Sequence, residues 1–307
     1  MAFDGMSFII EGKQQTITDG AGDHKNGADV NCMALTVATG FPQALTQMPW
    51  TFNPGALPGL NGQTVEMPAN LLFAAAVTHD GDTTGFNSFK AASDYVSGLD
   101  GTTIENTTIT LGMDTEIDGG KYQKSDGDMP AKPCTIDGGG HKLTATTEYI
   151  YLNADTAMAN IKVGGTSTLL NASSYDNKPH KLTLGEGFSA QGSISGNGST
   201  TGGSQLQVDA DIDCKSLGNF SNVSLDDGVT VTLASDGTVY GIGTLAPGNN
   251  SAFAFNAGRN DTGNFQYPKN GITRGNSIIL KANYTPARGN KLIQNGKCHA
   301  GIHGRGK

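Results

Sequence analysis

Arginine is missing from the first 258 of the 307 residues, and the only four, Arg259, Arg274, Arg288 and Arg305, sit towards the C-terminal end. Arg grips phosphate and carboxylate in bidentate fashion, so the body of the chain lacks the usual means of holding nucleotides or acidic sugars tightly. Charge of either sign is sparse at 16 % of residues, and the balance is acidic, with a formal net charge of −8. A nucleic-acid partner is therefore not expected, because binding a phosphate backbone needs a basic footprint. No apolar run approaches the ~20 residues needed to span a bilayer. Residues 1–30 also lack the basic and apolar regions of a secretory leader, so an exported chain would draw its leader from outside this sequence. The four cysteines, Cys32, Cys134, Cys214 and Cys298, stand singly, with no CxxC or Cys/His pair at zinc-ligand spacing. This pattern argues against zinc and predicts buried free thiols.

What is abundant is glycine, 44 residues, interleaved with Asn, Asp, Ser and Thr between short Ile/Leu/Val runs. Such punctuation suits many short strands joined by tight turns and disfavours a helical bundle. Residues 1–87 read as a loop-rich β region, in which Ser7–Glu11 and Gln15–Thr18 are placed to pair and Leu71–Val77 supplies one buried strand or helical turn. From residue 88 the pattern changes. Asn87 or Ser88 caps a short helix that places Phe89, Ala92, Ser93 and Val96 on one face, and Gly98 stops it. Period-2 alternation in Thr102–Leu111 then opens a long series of similar strands, including Cys134–Asp137, Tyr149–Leu152, Lys181–Leu184, Gln205–Val208, Val229–Leu233 and Ala252–Phe255. Start-to-start spacings near ten residues imply two strands per solenoid coil of about twenty residues. The fold class read from this pattern is all-β: a right-handed parallel β-helix over 88–307, with an appended N-terminal β-rich region over 1–87. The helix would close the open end of its apolar channel. A tandem of β-sandwiches is the competing architecture. Asn276–Ala282 and Asn290–Gln294 read as two further strands, followed by a basic tail, Lys297–Lys307.

The segments Phe89–Val96, Thr108–Ile117 and Thr135-Ile136-Asp137-Gly138-Gly139-Gly140-His141-Lys142-Leu143-Thr144 resemble the opening of pectin-lyase-like β-helix domains, which recur in large adhesin-like surface proteins of bacteria. In that family a short helix precedes a first coil of the type I-x-L-x-x-D-I, and T-I-D-G-G-G-H-x-L forms the next corner and strand. Thr115 and Glu116 separate Asp114 from Ile117 here, so the first motif matches loosely and the second closely. The resemblance covers about residues 88–260 and implies fold more than activity. Asp137 is expected to accept backbone N–H bonds at its corner.

Enzymes on this scaffold need a calcium-binding carboxylate cluster with a basic proton acceptor, or paired carboxylates as acid and base. Three acidic groups qualify by spacing: Asp114, Glu116 and Asp118; Asp209, Asp211 and Asp213; Asp226 and Asp227. Alternation places Asp209, Asp211 and Asp213 on one strand face, which makes them the candidate ligands of a calcium ion. His141 and His180 each precede a lysine and read as exposed strand starts rather than bases. The catalytic set of the polygalacturonases is absent, as is a Gly-x-Ser-x-Gly elbow. The expected function is thus a non-catalytic extracellular, cell-surface adhesin-like module, serving as a rigid scaffold or a glycan- or protein-binding surface. A polysaccharide lyase or glycoside hydrolase, and a self-associating filament or sheath subunit, are the alternatives.

Overall fold

The computed structural model describes residues 73–121, 127–165, 168–199, 201–256, 264–273 and 278–282, together with 7–10, 13–16, 49–51, 56–57, 59–63, 65–66 and 293–295. Alternating sequence becomes alternating burial: Thr107–Leu111 buries Thr107, Ile109 and Leu111, and Lys181–Leu184 buries Leu182 and Leu184. The apolar side of each strand must face other apolar sides, and a parallel register stacks them. Ile109, Ile136, Met158, Leu184, Val208 and Leu225 pair in turn, and none is more than 3 % exposed. A second column on the same sheet runs Cys134, Thr156, Leu182, Leu206, Val223, Leu245.

From Cys134 to Gln266 the chain visits three sheets in each of six successive coils. Sheet one holds seven parallel strands from Thr107–Leu111 to Thr244–Pro247, sheet two runs from Thr115–Ile117 to Ile279–Ala282, and sheet three from Tyr149–Tyr151 to Ile293–Asn295. Ile150, Leu170, Ile194, Leu217, Val239 and Phe265 form the inward column of sheet three. This is a parallel β-helix, and its continuous parallel pairing excludes the tandem of antiparallel sandwiches. The expectation of two strands per coil is corrected to three. Coil length stays near the expected figure because the strands are very short and the turns tight. The register advances by 17 positions from Val208 to Leu225 and by 27 from Ile109 to Ile136.

The first coil is closed by the helix Phe89–Gly98, which buries Phe89, Ala92, Ser93 and Val96, the four residues its spacing selects. Ser88 is the N-cap, its Oγ accepting the Ala91 N–H at 3.1 Å. Phe89, Ala92 and Val96 join the same apolar cluster as Ile109, Ile117 and Ile136. The hairpin Ala75–His79/Asp82–Phe86 precedes residue 88, yet its first strand pairs antiparallel with Thr107–Leu111 and extends sheet one to nine strands. Antiparallel addition ends the parallel stack and, with the helix, caps it. Of the apolar run Leu71–Val77, Ala74, Ala75, Ala76 and Val77 are buried. Further towards the N-terminus, Ser7–Ile10 pairs with Lys13–Thr16, close to the pairing read from sequence. The basic tail lies outside the described residues. Among the described residues no helix is long and apolar enough to cross a membrane.

Candidate functional site

At the corner between sheets one and two, acidic side chains do structural work. Asp137 Oδ1 accepts the Gly139 N–H at 2.8 Å, as expected, while Gly139 and Gly140 take φ of +56° and +87°. Elsewhere a corner carboxylate reaches to the next coil and caps a backbone N–H there, at the start of its strand or in the turn before it. Asp114 binds the Lys142 N–H at 2.9 Å, Asp211 that of Thr230 at 2.7 Å, and Asp227 that of Asn249 at 2.6 Å. These bonds favour the ionised form: the Lys142 N–H holds Asp114, and the Asn249 backbone and side chain hold Asp227, below the usual carboxylate range. Asp118 accepts the Gly120 N–H, and Asp209 and Asp226 share the Gln207 side-chain amide at 2.8 and 2.9 Å.

The proposed calcium ligands are spread along this corner rather than along one strand. Gln205–Val208 ends before Asp209, Asp211 lies in the turn, and Asp213 lies within Ile212–Cys214 of sheet two. All three are exposed, and among the described residues no group of three His, Cys, Asp or Glu side chains is placed to hold a metal ion. Asp213 instead lines a shallow cavity of about 330 Å³ with Gln191, Lys215, Thr232 and Asp236.

The corner between sheets three and one is built differently. Here the connections are uneven, short at 152–155, 219–221 and 241–243 but long at 172–180 and 196–204. The loop 172–180 is folded on itself by a Ser173–Pro179 bridge, by Ser174 N–H to Lys178 O at 3.0 Å, and by an Asp176–Lys178 ion pair at 2.7 Å. Hydrogen bonds from Lys178 and Ser174 bring Asp176 down to about 2. On the next coil the loop 197–203 folds around Asn197, whose Oδ1 accepts the N–H groups of Ser199 and Ser204. The buried Ser204 ties the two loops together by donating to Ala172 O at 2.6 Å.

Two adjoining cavities result. One, of about 280 Å³, is lined by Thr102, Thr103, Glu105, Asp155, Lys181 and Thr183 among others. The other, of about 270 Å³, is lined by Asp155, Pro179, His180, Lys181, Gly202, Gly203 and Gln205. Asp155 and Lys181 border both, so the cavities form one groove. Asp155 Oδ1 caps the Lys181 N–H at 2.8 Å. Among the described residues no hydrogen bond or ion pair engages the other Asp155 oxygen, the Lys181 ammonium, the Gln205 amide or the Thr183 hydroxyl. Lys181 and Gln205 are register partners on adjacent strands.

His180 departs from its sequence reading. His141 is a partly exposed strand start, its side chain 39 % accessible, but the His180 side chain, at the end of the loop 172–180, is only 16 % accessible. Its Nδ1 lies 3.9 Å from Asp155 Oδ1, and its Nε2 is buried without a hydrogen-bond partner. Burial pushes the imidazole below its ordinary value, against the opposing pull of Asp155 and Asp176. Cys134 and Cys214 are buried free thiols, as expected, and burial pushes each up to about 12, so neither is a nucleophile. Sequence reasoning missed Asp155, Lys181, Thr183 and Gln205 as a group. Asp155 follows Asn153-Ala154 and reads as one more turn residue, and only the stacking of coils brings it against Lys181 and His180. The chain matches no protein-family model, no curated protein and no solved structure.

Proposed function

We propose that this chain is a non-catalytic extracellular module, adhesin-like in construction, that presents a stiff β-helical body and binds neutral glycan chains weakly along the groove at the corner of sheets three and one. The observation that carries this reading is the set of unengaged polar groups around Asp155 and Lys181 in an elongated depression. Hydrogen-bonding groups held on strands are pre-ordered, which lowers the cost of immobilising them on binding. The scarcity of arginine favours uncharged over acidic sugars. A stacked solenoid supplies rigidity and long shallow faces, the properties that display and low-affinity contact require.

A polysaccharide lyase or hydrolase is the second reading, and one observation favours it: Glu105, Asp155 and Lys181 line the same cavity, which supplies two carboxylates and a basic group. Against it, Glu105 and Asp155 are exposed, whereas a glycosidase general acid is kept protonated by an apolar enclosure. Incubation with polygalacturonate, alginate and neutral oligosaccharides separates the two readings. We expect no unsaturated or reducing ends above background, and shifts of the Thr183, Gly202 and Gln205 amide resonances on titration with cellotetraose, maltotetraose or chitotetraose. Turnover at enzyme-like rates would overturn the non-catalytic assignment.

A further inference from the structure

The loop 172–180 and the mostly buried His180 ring at its end form a device of their own. The loop closes through His180 N–H to Ala172 O at 3.0 Å, beside the Ser204 bond to the same carbonyl. Its tip is joined to the next coil by Asn197 Nδ2 donating to Asn177 O at 3.4 Å. No charged residue occurs in 196–204, the segment that faces the loop from the following coil. The charged groups around the imidazole are therefore Asp155 from the preceding corner, Asp176 and Lys178 from the loop itself, and the neighbouring Lys181. A neutral imidazole fits this enclosure, since it carries a single N–H. The imidazolium carries two, and its Nε2–H finds no acceptor where the ring lies.

We propose that the loop 172–180 is an acid-released latch on the groove: protonation of His180 drives the ring out of its enclosure towards Asp155 and solvent, and the floor between Pro179 and Gly202–Gly203 opens. The control of glycan binding rests on the groove reading above, whereas the loop's release can be read without any ligand. The direction follows from burial, which lowers the proton affinity of the folded state below that of an exposed histidine, ordinarily near 6.5. The released form therefore binds more protons, and closure is complete above about pH 6.5 and lost as pH falls below it. Neighbouring carboxylates soften the change without reversing it.

Hydrogen exchange on the whole chain at pH 7.5 and pH 5.0, corrected for the intrinsic pH dependence of exchange, tests the latch. Amides of Ser174, Asn177 and His180 should lose at least tenfold protection at the lower pH, while those of Leu206 and Val223 keep theirs. In His180→Gln the loss should disappear. Wild-type loop amides that stay protected at pH 5.0, or equal pH dependence in His180→Gln, would overturn the proposal. Proton NMR of the His180 ring in the unaltered protein is independent of whether the variant folds: titration below 6.5 supports the latch, and titration at or above it sinks it. A latch that opens in a protein that binds no tetrasaccharide at either pH leaves the loop mechanism standing and removes only the glycan reading.

Discussion

The two kinds of corner around sheet one use the same residue types for opposite ends. Between sheets one and two the turns are short, and Asp114, Asp137, Asp211 and Asp227 each give Oδ1 to a backbone N–H of their own or the next coil. Between sheets three and one Asp155 makes the same kind of bond through Oδ1 to Lys181, from an equally short turn, yet borders the groove. The difference lies in neighbours rather than in the carboxylate. Two connections at that corner, 172–180 and 196–204, are longer, and Pro179, Gly202 and Gly203 from them border the space beside Asp155. An acidic cluster in a β-helix sequence is therefore a poor indicator of a site until the corner it occupies is known.

The comparison presumes a common core that tolerates either corner, and the largest effect should come from breaking that core. Leu206→Ala, in the fully buried column of sheet one, should cost about 2–5 kcal/mol in urea unfolding. It should destabilise both corners together; an effect confined to one would mean that the coils unfold independently. Next in size, Lys181→Ala should weaken tetrasaccharide binding about tenfold, or ~1.4 kcal/mol, and leave the melting temperature nearly unchanged. Asp211→Ala, at the opposite corner, should do the reverse, losing about 1 kcal/mol of stability through the unpaired Thr230 N–H with no change in binding. Equal loss of binding in both variants would erase the distinction between the corners.

Smaller still is the acid response of the structural corner. The values of Asp114 and Asp227 are lowered on folding, so their contribution is present above the unfolded value near 3.9 and is lost as pH falls through the folded values. Asp227→Asn should flatten the fall in melting temperature below pH 4, and an unaltered acid limb would show that this capping bond contributes nothing. The smallest expected effect is that of calcium. Asp209, Asp211 and Asp213 are exposed and spread over a turn and the following strand of sheet two, so melting in calcium and in EDTA should coincide. A higher melting temperature in calcium would restore a metal to this corner by linkage.

The sequence by itself determined the elements and their inward faces. The cap at Ser88, the buried face Phe89, Ala92, Ser93 and Val96, the turn at Asp137 and the alternating strands were all legible, because helix capping, period-2 burial and positive φ at glycine are local physics. Solenoid class was legible for a related reason: strands too short to form a core alone must stack. Three strands per coil, rather than two, were not legible, because turn residues mark where the chain bends but not how many bends return it to its start. Nor was the groove. Asp155, His180, Lys181 and Gln205 come from three successive coils, and the register that brings them together is set by the summed lengths of every intervening turn, which the tertiary stacking alone decides. The burial of His180 was likewise decided by tertiary structure, since its sequence neighbours, Pro179 and Lys181, read as an exposed start to a strand.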